Sequence, residues 1–398
     1  MRKKVLLISQ YFLPDINAAS YRVNDLYKAL KRQNYEVAVI TAYPQKSAVE
    51  EIKYSNNIHR IRLDKVNKKS FINYIQNYFG FMFKSIFYSL FRLKHEKYDY
   101  VIVTSPPLFV ALGGLVISFF KRTKLIVDIR DVWPDSAVSA GMLRSNGLLY
   151  KVTKRIERFI YKRADIITCV SKPMKDYIYK ESKHENIHVL YNGISPESIK
   201  NELEPIANRE KNKIKIGYAG NIGIVQNMNI ILKASQLLTN NKHYADFEFV
   251  IIGDGIERKK LEERVAELNI KNITFTGTLS KNEVLNALNK VDLLFFSLIE
   301  DPVFEKTIPS KLFDYLLNNK PIITSIKGEG RKILEELGCA LFFDPNESES
   351  LANALREFKD NKENYEKASL NNREYVIENY NREEIFLDFL EQLNGVTK

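Results

Sequence analysis

Short apolar runs separated by amphipathic stretches recur along this 398-residue chain, and the alternation stops and restarts once. Val5–Ser9, Val37–Thr41, Val101–Thr104, Leu125–Asp128, Ile166–Val170 and His188–Leu190 read as buried strands. Helical patterns lie between them. Val23, Leu26, Tyr27 and Leu30 share one face behind Ser20 as N-cap, and Ile156, Phe159 and Ile160 do so in a basic helix. Strand–helix alternation implies a parallel sheet covered on both faces. The pattern breaks at the turn signal Tyr191-Asn192-Gly193 and at the polar stretch Glu197–Lys213. It resumes with Ile214–Tyr218, Phe247–Ile252, Ile273–Thr276, Leu293–Ser297 and Pro321–Ser325. The expected class is therefore α/β, with two doubly wound Rossmann-like units, 1–195 and 213–380, joined by a linker at 196–212. A last helix near Arg382–Leu393 carries Ile385, Phe386, Phe389 and Leu390 on one face, which must pack against something. Two facing units make a cleft, and the loops after the strands are where ligands belong.

Composition narrows the partners. A net charge of +11 suits nucleic acid, anionic lipid or a phosphorylated substrate. Without a zinc-finger spacing, an RNA-binding signature or a long Lys/Arg block, nucleic acid drops out. Cys169 and Cys339 lie far apart and read as buried reduced thiols of a cytosolic protein. With five scattered His, they leave little for a transition metal. The apolar run after Lys4 is too short for a signal-peptide core. Leu108–Phe120, which contains Gly113 and Gly114, is too short to span a bilayer and reads as a helix on a sheet.

Three loops of the second half carry phosphate-binding chemistry. Gly217-Tyr-Ala-Gly220-Asn221-Ile-Gly223 follows a strand, so its amides can approach a phosphate. Gly253-Asp-Gly255 also follows a strand. Arg258 stands where a dinucleotide fingerprint needs its third Gly, so Gly253-Asp-Gly255 reads as a turn shaping the pocket. In Thr307-Ile-Pro309-Ser310-Lys311-Leu-Phe-Asp314-Tyr315, Pro309 suits a first helical turn. Ser310 and Lys311 then sit where free amides, dipole and ammonium favour a diphosphate. Asp314, one turn on, can accept bonds from the vicinal hydroxyls of a ribose.

In the first half, Asp128-Ile-Arg130-Asp131-Val-Trp133-Pro-Asp135 follows a strand and holds the only Trp. Asp131 is the candidate for orienting or deprotonating a hydroxyl. Arg130 can bind phosphate or lock Asp131 in a bidentate pair. Pro14-Asp-Ile-Asn17-Ala18-Ala19-Ser20 follows the first strand. Its small residues allow close approach to a ligand, and Arg22 either reaches the cleft or pairs at the surface. Ser105-Pro-Pro107 shapes the rim.

Phe304-Glu305-Lys306-Thr-Ile-Pro-Ser-Lys-Leu-Phe-Asp-Tyr315 resembles the donor-binding segment of retaining glycosyltransferase family 4. Gly217–Gly223, Gly253–Gly255 and Tyr191-Asn-Gly-Ile194 are similar to that family's other landmarks, in order, so the resemblance spans nearly the whole chain. It is nearest to the WbuB-like bacterial enzymes of O-antigen, capsule and exopolysaccharide assembly. The resemblance implies the GT-B fold, with segment 381–398 crossing back to the first domain. It also implies a UDP-sugar donor, of the UDP-N-acetylhexosamine type, a lipid-linked saccharide acceptor and retention by front-face attack. The family's two Glu, with seven residues between them, become Lys306 and Asp314 here, with Glu305 one residue off register. The family's Arg and Lys after the first Gly-rich loop become Ile224-Val-Gln-Asn227, which leaves Lys311 to neutralise phosphate. Asn17, Ala18, Ala19, Arg22 and Trp133 are then acceptor-side residues.

No D-x-D pair occurs in the chain, so no metal or other cofactor is expected and the leaving diphosphate depends on helix N-termini and cations. Phe71–Phe91 holds nine aromatics with Lys84 as its only charge. Lys65, Lys68 and Lys69 precede it, and Arg92, Lys94 and Lys97 follow. Such a segment suits a membrane interface, which places the protein peripherally on the inner face of the cell membrane. Rival readings are a nucleotide-sugar epimerase on the same fold, a dinucleotide oxidoreductase and a non-catalytic carbohydrate-binding scaffold.

Overall fold

A computed structural model describes residues 2–15, 17–44, 56–63, 71–200 and 213–395. The chain divides into two compact units: Met1–Pro196 with Asn381–Lys398, and Glu197–Tyr380.

Unit 1 is built on a seven-stranded sheet whose strands all pair in parallel. The strands are β1 (Lys4–Ile8), β2 (Glu36–Ala42), β3 (Ile58–Ile61), β4 (Tyr100–Ser105), β5 (Lys124–Ile129), β6 (Ile166–Cys169) and β7 (Ile187–Val189), in the order β3-β2-β1-β4-β5-β6-β7. Six of the seven follow the apolar runs. The edge strand β3 does not, because Ile-His-Arg-Ile is short and half polar. Helices α1 (Ala18–Arg32), α2 (Phe71–Phe87), α3 (Leu108–Lys121), α4 (Asp135–Ser139), α5 (Leu148–Arg163) and α6 (Lys172–Ser182) connect them. The expected helix at Leu108–Phe120 is α3. Its Gly114 lies so close to Val103 of β4 that a Cβ would overlap that side chain.

Helix α1 starts earlier than the Ser20 cap reading. Asn17 is the N-cap, its Oδ1 accepting the Ser20 amide at 2.9 Å, and Ser20 is buried in the first turn. The last helix, Arg382–Gly395, belongs to unit 1. Phe386, Phe389, Leu390 and Leu393 are buried against Val23, Leu26 and Leu30 of α1 in one core with Val5, Leu7 and Ile102. Each such burial contributes roughly 1.5–3 kcal/mol. Arg382 anchors its start. The guanidinium reaches Asp25 at 2.7 Å and the Gly193 carbonyl at 3.0 Å. The Tyr191-Asn-Gly turn is thus a socket for the returning chain.

Unit 2 has a six-stranded parallel sheet ordered β10-β9-β8-β11-β12-β13. The strands are β8 (Ile214–Ala219), β9 (Phe247–Ile252), β10 (Ile273–Gly277), β11 (Leu293–Phe296), β12 (Ile322–Thr324) and β13 (Ala340–Phe342). Only the three-residue edge strand β13 escaped the sequence pattern. Of the expected linker, Pro196–Lys200 is a short helix, and 201–212 lie outside the described residues. Cys169 and Cys339 are both buried and unpaired.

Candidate active site

Ligands of open parallel sheets bind beyond the carboxyl ends of the strands, where adjacent connections diverge. In unit 2 that point lies between β8 and β11. The Gly-rich loop leaves β8, and the Phe304–Tyr315 segment follows β11. Tyr315 bridges the diverging ends: its hydroxyl accepts the Ala219 amide at 3.0 Å and donates to the Phe295 carbonyl at 3.2 Å.

Lys311 projects from the first turn of the Ser310–Leu316 helix onto this point. Its Nζ donates to the Tyr218 hydroxyl at 2.7 Å and lies 4.3 Å from the centre of that ring. The Tyr218 hydroxyl in turn donates to the Asn221 carbonyl at 2.5 Å. Burial lowers the Lys311 ammonium to about 8, with the Asp314 charge opposing the shift. Gly220, at φ +143°, lies against the lysine stem, and a Cβ there would overlap Cε. Lysine, tyrosine and glycine loop therefore form one assembly. The helix begins at Ser310 with Pro309 as its N-cap, one position before the expected first-turn place. Helix geometry leaves the Ser310 and Lys311 amides without intrahelical acceptors. Asp314 is exposed one turn on, and Glu305 is exposed on the 3-10 turn Phe304–Lys306.

Two readings of the glycines change. The amides of Gly220, Ile222 and Gly223 are committed within the protein, to Ile252 O, Asp254 O and Gln226 Oε1 at 2.9, 2.9 and 3.1 Å. They are not free to cradle a phosphate; in this stretch the Asn221 amide makes no such bond among the described residues. Gly253 and Gly255 are required by packing between loops. A Cβ on either would overlap the backbone of Gly220 or Ile222, so the Gly-x-Gly turn lets two loops lie against each other. This accounts for the missing third glycine without a dinucleotide. A hollow of about 1020 Å³ in unit 2 is lined by Lys213, Asp246 and Asn272 at the amino ends of the strands, away from this point.

In unit 1 the switch point lies between β1 and β4. Asn17, Ala18 and Ala19 open α1 just after β1. Asn17 spends its carbonyl oxygen as the cap, while its Nδ2 is buried with no hydrogen-bond partner among the described residues. Arg22 is not at the acceptor face, nor at the surface. It is 2% exposed and grips Asp128 through Nε at 3.1 Å and a terminal nitrogen at 2.9 Å. It also donates to the Leu190 and Tyr191 carbonyls at 3.0 Å each. Burial pushes the Asp128 carboxyl up, but Arg22 more than offsets this and holds it below the usual range. The pair is a buried strut between β5, α1 and the Tyr191 turn.

Arg130 makes no bidentate pair with Asp131. Its terminal nitrogen donates to Pro106 O at 2.9 Å and its amide to Ser105 O at 2.8 Å, which fixes the rim loop. Its Nε is buried with no partner among the described residues, and burial lowers the guanidinium to about 10. Asp131 accepts the Ser136 hydroxyl at 2.7 Å. Burial raises its carboxyl above the usual range, which suits a group that takes and releases a proton. Trp133 packs edge-on to Phe109 at 6.0 Å.

Two family models match successive parts of the chain: Glycosyltransferase Family 4 over residues 19–198 and Glycosyl transferases group 1 over 199–375. The chain belongs to the family-4 type of glycosyltransferases. It is similar to the probable glycosyltransferase WbjE of Pseudomonas aeruginosa, 22% identical over 89% of each chain. It is also similar to the putative teichuronic acid biosynthesis glycosyltransferase TuaH of Bacillus subtilis (strain 168), 25% identical over 52% of each. Among solved structures, the sucrose-phosphate synthase of Thermosynechococcus elongatus superposes with TM-score 0.78 at 16% identity, over 100% of this chain and 99% of that one. HepE of Anabaena, in complex with UDP and glucose, gives 0.71 at 15%, over 99% and 100%. The fold of the transferase is GT-B.

Sequence reading missed a polar cluster behind the Asp131 loop of the transferase. Asp135 accepts Tyr150 at 2.6 Å, Lys154 at 2.7 Å and Tyr177 at 2.8 Å. Glu157, fully buried, accepts Lys154 at 2.8 Å and Tyr161 at 3.0 Å. Two carboxylates share one lysine, so burial drives Glu157 up to about 7 despite the Lys154 charge. Only Asp135 lay in a recognised motif; the others come from helices α5 and α6.

Proposed function

We propose that this glycosyltransferase moves a sugar from a UDP-sugar, of the UDP-N-acetylhexosamine type, to a lipid-linked saccharide in bacterial surface polysaccharide assembly. The observation that carries the reading is the Lys311 ammonium, fixed on Tyr218 and Gly220 beside the open amides of a helix start. The GT-B neighbour HepE, whose structure holds UDP and glucose, supports the donor class. TuaH, named for teichuronic acid biosynthesis, supports the polymer context.

In this mechanism the bond from the sugar C1 to the diphosphate oxygen breaks, and its electron pair leaves with UDP. Lys311 and the Ser310 and Asn221 amides stabilise that charge in a preorganised site. Asp314 accepts the ribose hydroxyls, and Glu305 stands nearest in sequence to the donor-sugar position. Asp131, with its raised carboxyl, takes the proton of the acceptor hydroxyl whose oxygen bonds C1. Trp133 provides an apolar wall for the acceptor, and Arg130 a buried cation next to it. Attack on the face the diphosphate leaves gives retention. With no D-x-D pair, the chemistry needs no metal.

The acceptor's lipid places the enzyme on the inner membrane surface, through residues 71–91 and their basic flanks. The test is calorimetric titration of UDP, GDP and dTDP, followed by transfer assays with and without EDTA. UDP should bind tightest and transfer should survive chelation. Preference for another nucleotide would overturn the donor reading. Loss of transfer under EDTA, restored by manganese or magnesium, would overturn the metal-free one.

A further inference from the structure

The structure divides the aromatic segment between two environments. Phe81, Met82, Ser85 and Ser89 are buried in unit 1. Phe83, Phe87 and Phe91 are 63%, 59% and 61% exposed, spaced by four along α2 and the π-helical turn Tyr88–Arg92 that continues it. Phe87 and Phe91 rest ring to ring at 4.5 Å. At the end of α3, Phe119 and Phe120 are 76% and 64% exposed. That end is tied to the residues after the π-turn, because Lys121 donates to the Leu93 and Glu96 carbonyls at 2.7 and 3.1 Å. Five solvated phenylalanines on neighbouring ends are far more than the scattered apolar residues of an ordinary surface.

Charge decides what covers them. Phe83, Phe87 and Phe91 edge a shallow hollow of about 720 Å³ whose described lining includes Arg62, Lys84 and Arg92 and no carboxylate. Cations around apolar anchors match an anionic bilayer surface, where rings enter the interface and ammonium and guanidinium groups meet phosphate. The flanking Lys65, Lys68 and Lys69 lie outside the described residues. A line of rings also leads inward. Phe83 stacks on Phe79 at 6.4 Å, Phe79 meets Phe109 at 4.1 Å, and Phe109 meets Trp133 at 6.0 Å, two residues from Asp131.

We propose that Phe83, Phe87, Phe91, Phe119 and Phe120, with Arg62, Lys84 and Arg92, form a docking face for anionic lipid bilayers, and that the Phe83–Trp133 line of rings ties this face to the acceptor loop. This deepens the membrane partner of the preceding reading. It narrows that partner to one half of the 71–91 segment and adds the end of α3, which no membrane motif marks.

The test uses the whole protein and vesicles of phosphatidylcholine with and without phosphatidylglycerol, in co-sedimentation at two salt concentrations. Wild type should bind the anionic vesicles and release as salt rises. Phe83→Ser/Phe87→Ser/Phe91→Ser should lower vesicle affinity at least tenfold, and Phe119→Ser/Phe120→Ser should lower it as well. Lys84→Glu should lower it about fivefold or more, the scale of one cation at a charged surface. All are surface changes, so UDP affinity should match wild type. That also separates the two readings, because failure of UDP binding leaves the vesicle result standing. Wild type that ignores anionic vesicles overturns the proposal. So does vesicle binding that the Phe variants retain, or a self-association that they abolish without any vesicle binding.

Discussion

The Lys311 ammonium is held 2.7 Å from the Tyr218 hydroxyl and over the same ring. One residue thus provides both a dipole and a π face to a cation whose desolvation would otherwise push its proton off. Because that hydroxyl also binds the Asn221 carbonyl, Tyr218 couples the charge to the Gly-rich loop.

The first prediction concerns pH. With the Lys311 ammonium lowered to about 8, the empty site is charged below that pH and loses its charge above it. UDP affinity should therefore fall as pH rises through about 8. Folding stability should not fall with it: between about 8 and the ordinary lysine range the unfolded state binds more protons, so this group contributes rising stability. Lys311→Ala should weaken UDP by about 10- to 100-fold at pH 7, from a charge-assisted bond of roughly 1.5–3 kcal/mol, and flatten the pH dependence. Lys311→Arg should restore only part, because a planar fork does not reproduce a compact charge. Calorimetry between pH 7 and 9.5 checks this. An unchanged affinity in the Ala variant would place the phosphate elsewhere.

The second concerns Asp131. Asp131→Asn should leave UDP affinity near wild type and lower turnover by about 10²–10⁴-fold. The Ser136 hydroxyl bonds the charged form of Asp131, which lowers its pKa. Ser136→Ala should therefore move the acid limb of the kcat profile to higher pH while leaving the plateau within a few-fold. A shift toward lower pH, or none, would show that Asp131 is not the group titrating in that limb.

Arg22 shows where sequence reading stops. That the residue follows a loop of small residues was legible; that its guanidinium turns inward to Asp128 was not, because the partner lies 106 positions away. The strands were legible because burial on both faces demands continuous apolar runs. β3 and β13 were not, since short edge strands carry little of that demand. The loop placing Lys311 was legible from helix-start chemistry, whereas Tyr218 and Tyr315 drew no attention. Their roles rest on hydroxyl partners: the Lys311 ammonium and the Asn221 carbonyl for Tyr218, and the backbone of β8 and β11 for Tyr315. The same holds for the Gly-rich loops, whose glycines let two loops lie against each other.

A third prediction follows from that contact. Gly253 sits at φ +132° against the Gly220 carbonyl. Gly253→Ala adds both a left-handed strain and an overlap with backbone that cannot swing away. Thermal unfolding should show a lower Tm, and UDP affinity should drop because the loop under Lys311 is displaced. Gly338→Ala shares the positive φ but meets nothing within 4 Å, so it should lower Tm less and leave UDP affinity alone. Equal loss of UDP affinity in the two variants would break the link between the loops.

The last prediction concerns Glu157, which burial raises to about 7 from the ordinary glutamate range. The sign is fixed by proton counting. Between the unfolded value and about 7, the folded state binds a proton that the unfolded state does not. Stability from this group is therefore present at low pH and lost as pH rises through about 7. The opposite sign holds for Asp135: its burial is outweighed by Lys154, Tyr150 and Tyr177, which hold it below its usual range. Its contribution is lost only at lower pH, as the medium falls through that depressed value. The two windows do not overlap, so they can be read separately. Glu157→Gln keeps the size of the side chain and its bond to Tyr161, and it leaves Lys154 a single carboxylate partner. Its Tm should equal or fall below wild type near pH 5 and exceed it at pH 8, with a crossover between. Asp135→Asn, by contrast, should be destabilised at pH 8, because a buried lysine then faces Glu157 alone and the Tyr177 bond to the carboxylate is lost. Parallel Tm curves for Glu157→Gln and wild type from pH 5 to 8 would mean that Glu157 stays ionised throughout, with Lys154 alone sufficient to hold both charges.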